Sequence, residues 1–411
     1  MRFRLNVPFQ VHLARMRAVE EFFFLVGVFF LPMGKSVAEI AFLVALGLWL
    51  TGKILAKTPL KQIGVCNIAY FLFLIIALFS FTRAAPDQLT TAARGFCKWL
   101  KFFGIFFMTA EFASDRGRLG RLLKIFLASM AVVSANGLVQ MWRGTDLIKN
   151  YSIDIPGRYV RLQSSFGSPN DLASFLLLAL PLSFGEWLKK ITWSVRSAGL
   201  AVMTGVFFSV LVLTFSRGAF LALMTSLILY FIIKKKFLPL ALLAAFAIIF
   251  VFSSQVARYN FADSLRLKDI TVGERLELWR STVDLIKTHP ILGSGINLHS
   301  QNLPHFARPG QRQAGYSHNC YLQMAGEVGL AGLALFLLPL LRILVASLSA
   351  RAPKSLAGYE DFLWIGIVAY LIQSAFDTNF YALQTAYLFW IAWGAFAGQT
   401  IPAARKNTSK I

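Results

Sequence analysis

The chain has 411 residues, 57% of them hydrophobic and only 15% charged, with a formal net charge of +22; its mean hydropathy is +0.62. Soluble domains are about 45–50% apolar and about 25% charged, so a soluble enzyme and a disordered chain are both excluded. Nucleic-acid binding is disfavoured as well, because the cations lie between apolar blocks rather than on a polar surface.

The composition is that of a polytopic, all-α membrane protein. Crossing a bilayer takes roughly 20 apolar residues. The first apolar run starts near Phe22, behind Arg2, Arg4, Arg15 and Arg17. No small-residue cleavage site follows it cleanly, so it reads as a retained span rather than a signal peptide. Spans are predicted at about 19–34, 37–53, 65–82, 97–112, 121–141, 171–188, 197–215, 218–233, 237–253, 319–341, 359–377 and 381–400, about 12 in all.

Charge then orients the bundle. With the N-terminus in the cytoplasm, the short cytoplasmic connections carry Lys53, Lys57 and Lys61; Arg116, Arg118, Arg121 and Lys124; Lys189, Lys190 and Arg196; Lys234, Lys235 and Lys236; and Arg351 and Lys354. The tail adds Arg405, Lys406 and Lys410. Every one of these connections is basic, as the positive-inside rule requires, and an even number of spans places both termini inside. The chain therefore divides into nine helices over 1–253, a long external loop at 254–318 and three further helices with a tail over 319–411.

Two external connections are long, about 142–170 and 254–318, and long connections in compact proteins are commonly functional. The second holds Arg258, Arg266, Lys268, Arg275, Arg280, Lys287, Arg308 and Arg312, with His289, His299, His305 and His318 in it or at its end. Long loops are largely exempt from the positive-inside rule, so this charge needs another cause.

Four motifs face that side. Arg161 precedes a Gly-Ser-Pro-Asn turn that opens the sixth span, where Asn170 or Asp171 serves most simply as a helix cap. Arg217 lies in the tight hairpin Thr214–Phe220, either as a snorkelling anchor or as an anion ligand. In Gly273–Arg280, Thr271 and Glu274 have capping-box spacing, and Leu276, Trp279, Val283 and Ile286 form one apolar face. The helix is expected to stop near His289-Pro290. Arg275 is thus expected in a first turn, where free amides and a guanidinium make an anion site. An intrahelical pair with Glu277 is the simpler role for Arg275 or Arg280.

The fourth motif is His318-Asn319, running into Gly326-Glu327-Val328-Gly329-Leu330-Ala331-Gly332. A neutral imidazole at a helix entrance can take a proton from a hydroxyl, or simply cap the interface. Asn319 can cap the helix or orient the ring. The glycine spacing suits close helix packing. Glu327, well inside a span, is expected to have a partner. Cys66, Cys97 and Cys320 lack metal-ligand spacing, His299 and His305 make no convincing metal site, and no nucleotide fingerprint is present.

In this order, Phe166-Gly-Ser-Pro-Asn170, Ser216-Arg-Gly218, Gly273-Glu-Arg-Leu-Glu-Leu-Trp279, Pro290-Ile-Leu-Gly-Ser-Gly295, His318-Asn319 and Gly326–Gly332 together resemble the O-antigen ligase/polymerase superfamily of bacterial polysaccharide assembly. The resemblance runs from about Arg161 to Leu341. It implies an inner-membrane glycosyltransferase that takes a glycan from undecaprenyl diphosphate at the periplasmic face. The acceptor is a lipid A–core sugar in the ligase branch and another repeat unit in the polymerase branch. It implies His318 as the catalytic histidine and Arg217 and Arg275 as diphosphate ligands. Arg280, Arg161, Asn319, Glu327 and Asn170 are secondary or supporting, and the ligase branch uses no metal or nucleotide cofactor. A transporter or lipid flippase is the alternative from another class; it predicts midplane charges and repeat symmetry, to which only Glu327 and Glu39 speak.

Overall fold

The computed structural model describes residues 7–153, 161–190, 192, 194–236, 238, 270–307, 315–348 and 359–400. These form α1 (Val7–Phe30), α2 (Lys35–Leu55), α3 (Val65–Phe79), α4 (Leu89–Phe112), α5 (Arg116–Arg143), α6 (Pro169–Leu188), α7 (Val195–Leu213) and α8 (Arg217–Ile233). They continue with α9 (Ile270–Thr288), the short α10 (His299–Asn302), α11 (Cys320–Ser347), α12 (Glu360–Gln373) and α13 (Leu383–Thr400). Among the described residues there is no β-strand. Six of these helical segments are long and apolar enough to cross a membrane, and α8 and α12 are apolar but shorter. The protein is an all-α polytopic membrane protein. Eleven of the predicted spans fall on α1–α8 and α11–α13; the one at 237–253 lies, but for residue 238, outside the described residues, as does the loop over 254–269.

Lipid tails are as apolar as leucine, so helices in a bilayer are held by close packing and polar contacts rather than by the hydrophobic effect. α4 and α13 show the packing. A Cβ on Gly394 would sit 2.5 Å from the Phe106 carbonyl oxygen, and one on Gly398 would sit 2.4 Å from that of Ala110. Around this seam Tyr70 stacks on Phe103 at 4.6 Å between centroids, and Trp393 donates its indole N–H to the Tyr70 hydroxyl at 2.8 Å. Ile40, Ile54, Ile68 and Phe71 are exposed and face lipid.

Intramembrane charges find partners, as the cost of burying them requires. Lys101 on α4 pairs with Glu39 on α2. Lys98, one turn nearer the start of α4, donates to the Tyr381 carbonyl at 2.5 Å and lies in the field of Glu327. Of the two acids that the transporter alternative looked to, Glu39 pairs with a lysine of this helix and Glu327 lies in the field of another.

The basic connections are tied together at one end of the bundle. Lys53 pairs with Glu111 at 2.5 Å, and Arg118 and Arg121 with Glu21 at 3.3 and 2.5 Å. Lys234 pairs with Asp361 at 3.5 Å, and Lys61 donates to the carbonyls of Ala110 and Gly398.

α11 is broken rather than straight. Gly329 has φ +72° and ψ 177°, and the carbonyls before the break and amides after it need partners that lipid cannot supply. The segment Pro290–Gly295 provides them. The amides of Ser294 and Gly295 donate to the carbonyls of Gly326 and Glu327 at 2.8 and 3.0 Å, and the Leu330 amide donates to the Pro290 carbonyl at 2.8 Å. A Cβ on Gly329 would lie 2.0 Å from the Ile291 oxygen. The closest approach in the glycine repeat is thus to a loop strand, not to a neighbouring helix as the sequence suggested. The break lets the polypeptide before α11 lodge inside the bundle.

Candidate functional site

At the end of the bundle opposite the basic connections, His318 precedes α11. Its backbone is left-handed, φ +51°, a conformation uncommon for a residue with a side chain. Asn319 is the cap of α11: its side-chain oxygen accepts from the amides of Tyr321 and Leu322 at 3.0 and 3.1 Å. Capping, rather than orienting the ring, is therefore its contact here. The Ser317 carbonyl accepts from the Trp279 indole at 2.9 Å, which fastens α9 beside the histidine.

The His318 side chain is 40% exposed, and its Nδ1 lies 3.8 Å from Oδ1 of Asp377, which is 15% exposed. Asp377 belongs to the turn 374–382 between α12 and α13, beyond the helix that the sequence carried on to residue 377. Burial pushes its carboxyl up. His318, the Thr378 amide and the Arg275 guanidinium pull it down further, and the net effect is below the ordinary carboxylate range. Asp377 is thus an ionised carboxylate beside an open imidazole, and sequence reasoning missed it. The available signal was an acid at the exterior end of a predicted span, just before Thr378-Asn379.

The arginines approach the same turn. Arg275 is half-buried and lies in the field of Asp377. Because α9 already includes Ile270, Arg275 sits in its second turn, not the first. Any anion it holds is held by the guanidinium rather than by free amides. Arg217 opens α8, whose preceding Ser216 makes no side-chain cap. The Cβ position of Gly218, its neighbour, lies 3.6 Å from Cβ of Phe376, next to Asp377.

Arg161 donates to the Thr214 carbonyl and to the Asn170 side chain, both at 3.1 Å. It braces the hairpin carrying Arg217 against the start of α6. The Asn170 carbonyl accepts from Ser174 at 2.9 Å and from Gln373 at 3.5 Å, which links that brace to the Asp377 turn. The cap of α6 is Ser168, whose hydroxyl accepts from the Asn170 amide, and not Asn170 or Asp171. Arg280 forms an exposed i,i+3 pair with Glu277 at 2.5 Å, the simpler role set out above.

Glu327 is buried beneath the site. Its oxygens accept from the Asn297 amide at 3.0 Å and the Gln323 side chain at 3.2 Å. It therefore ties α11 to the loop over 290–298. His299 is fully buried with Nε2 3.3 Å from the Thr282 hydroxyl, and burial lowers it to about 4. Among the described residues no cluster of three or more His, Cys, Asp or Glu could hold a metal.

The described residues thus set an imidazole 3.8 Å from an ionised carboxylate, with Arg275 in the field of the same carboxylate. Residues 175–337 match the O-antigen ligase family, about two-fifths of the chain. The match takes in Arg217, Arg275, Arg280, His318, Asn319 and Glu327, and stops short of Arg161, Asn170 and Asp377. No curated protein matches the chain.

Proposed function

Starting from the O-antigen ligase domain over residues 175–337, we propose that this protein transfers a glycan from undecaprenyl diphosphate to a lipid A–core sugar. The reaction takes place at the periplasmic face of the bacterial inner membrane, with both termini in the cytoplasm. The long external loop, with the entrance to α11, carries the catalytic histidine and the diphosphate ligand Arg275, and the α7–α8 hairpin adds Arg217. The observation that carries this reading is the placement of His318 on Asp377 at the same turn that Arg217 and Arg275 approach.

The acceptor hydroxyl loses its proton to His318 as it attacks the anomeric carbon of the donor, a contribution of about 10²–10⁴-fold for a positioned base. Asp377 holds the imidazole and balances the charge that it gains. The leaving group is a lipid diphosphate, and Arg217 and Arg275 stabilise its growing charge through charge-assisted hydrogen bonds. Arg161 and Asn170 fix the hairpin that presents Arg217. Arg280 joins only by giving up Glu277.

Deleting the gene and examining lipopolysaccharide tests the reading. Loss of all polymer from lipid A–core, with long chains left on the carrier lipid, is the expected result. A single repeat unit still on the core would make the protein the polymerase, and unchanged lipopolysaccharide would sink both.

A further inference from the structure

We propose that Cys320 is a positioning residue for this reaction: its buried thiol clamps the 374–382 turn so that Asp377 stays on His318. The inference rests on the ligase reading for its catalytic consequence and on geometry for the clamp itself. Cys320 is the first residue of α11, two positions after His318, and it is fully buried. Its amide donates to the Ser374 carbonyl at 2.9 Å. Its thiol donates to the Asp377 carbonyl at 3.1 Å and accepts from the Phe380 amide at 3.4 Å. One residue therefore grips the turn at its start, at the backbone of Asp377 and three residues beyond it.

A thiol is a weak donor and a weak acceptor, so neither contact matters much for stability alone. Their effect is on register. The imidazole is fixed to the front of α11 by the backbone of residues 318–320, and the backbone that carries the carboxylate is fixed to the same point through sulfur. A shift of the turn moves one partner of the pair and not the other. The turn's other hydrogen bonds, Thr385 to the Asn379 carbonyl at 2.6 Å, Asn379 to Gln373 at 3.3 Å, Ser174 to the Asn379 side-chain oxygen at 3.3 Å and Lys98 to the Tyr381 carbonyl at 2.5 Å, run to α13, α12, α6 and α4. Further along α11, Phe336 packs on Phe380 at 5.1 Å between centroids, and the Tyr321 hydroxyl donates to the Leu371 carbonyl at 2.6 Å; at Asp377 itself the contact to α11 is the Cys320 thiol.

The test compares Cys320→Ala, Cys320→Ser, Asp377→Asn and the Cys320→Ala/Asp377→Asn double variant of the full chain, purified and reconstituted with a polyprenyl-diphosphate glycan and lipid A–core. Cys320→Ala is expected to lower kcat by roughly 10- to 100-fold with KM little changed, the scale of a misplacement of about 1 Å. Cys320→Ser keeps a donor and an acceptor and is expected to recover most of the rate. Because Cys320 acts through Asp377, removing it in the Asp377→Asn background should cost no more than about twofold, whereas independent effects would multiply. Full activity in Cys320→Ala, or multiplying losses, overturns the proposal. A second readout does not depend on transfer. The rate at which diethyl pyrocarbonate modifies His318, read by peptide mass, should change in Cys320→Ala in the same direction as in Asp377→Asn. If the wild-type protein transfers nothing, the ligase reading fails, while an unchanged modification rate in Cys320→Ala still overturns the clamp.

Discussion

The histidines of this protein show how one side chain takes opposite roles from its surroundings. His318 is open, left-handed and faces a carboxylate; His299 is sealed against Thr282 and burial holds it neutral down to about 4. The second has a consequence for stability. Unfolded, His299 binds a proton below its ordinary 6.5; folded, it does not until about 4. Its contribution is therefore fully present above pH 6.5 and falls as pH drops towards 4, by up to about 3 kcal/mol at 1.36 kcal/mol per pH unit. Unfolding midpoints in detergent should decline more steeply with acid for the wild type than for His299→Gln, and parallel profiles would refute it. At this scale the sequence was a partial guide. His318, Arg217 and Arg275 were legible because each sits at a motif with a stated chemical use. Asp377 was not, because a carboxylate 59 residues further along the chain becomes a partner only through the packing of α11 on the 374–382 turn.

Among the elements, the broken α11 and the segment lodged in it do most to shape the site. Gly329 was legible as a packing glycine, but its positive φ and its partner were not, since a helical repeat reads the same for a neighbouring helix or an inserted loop. Glu327 and Lys98 act on this region in the same way. Each holds a backbone segment next to the site: Glu327 the Asn297 amide, Lys98 the Tyr381 carbonyl. Removing either side chain leaves a buried backbone group unsatisfied, at about 1–3 kcal/mol. Lys98→Met and Glu327→Ala should therefore each lower the thermal midpoint in detergent. An unchanged midpoint in either variant would show that its backbone contact does not hold this region.

Across the whole molecule, the +22 charge has two parts. Most of it sits in short connections, and among the described residues Lys53, Arg118, Arg121 and Lys234 of these are held at one end by Glu111, Glu21 and Asp361. Helix count and charge alternation made this part plain in the sequence, because hydropathy and loop charge are local properties. Among the cations outside those connections, Arg161, Arg217 and Arg275 lie at the other end, about the turn of His318 and Asp377. Placing them took the fold, since these residues come from three separate connections. In the proposed reaction these arginines hold a lipid diphosphate and His318 takes the acceptor proton. The most direct measurement is glycan transfer by the purified protein in vesicles holding both lipid-linked substrates, wild type against His318→Ala. The account predicts transfer by the wild type and a loss of about 10²–10⁴-fold in the variant, with the variant inserting normally. Transfer by His318→Ala at the wild-type rate would contradict it.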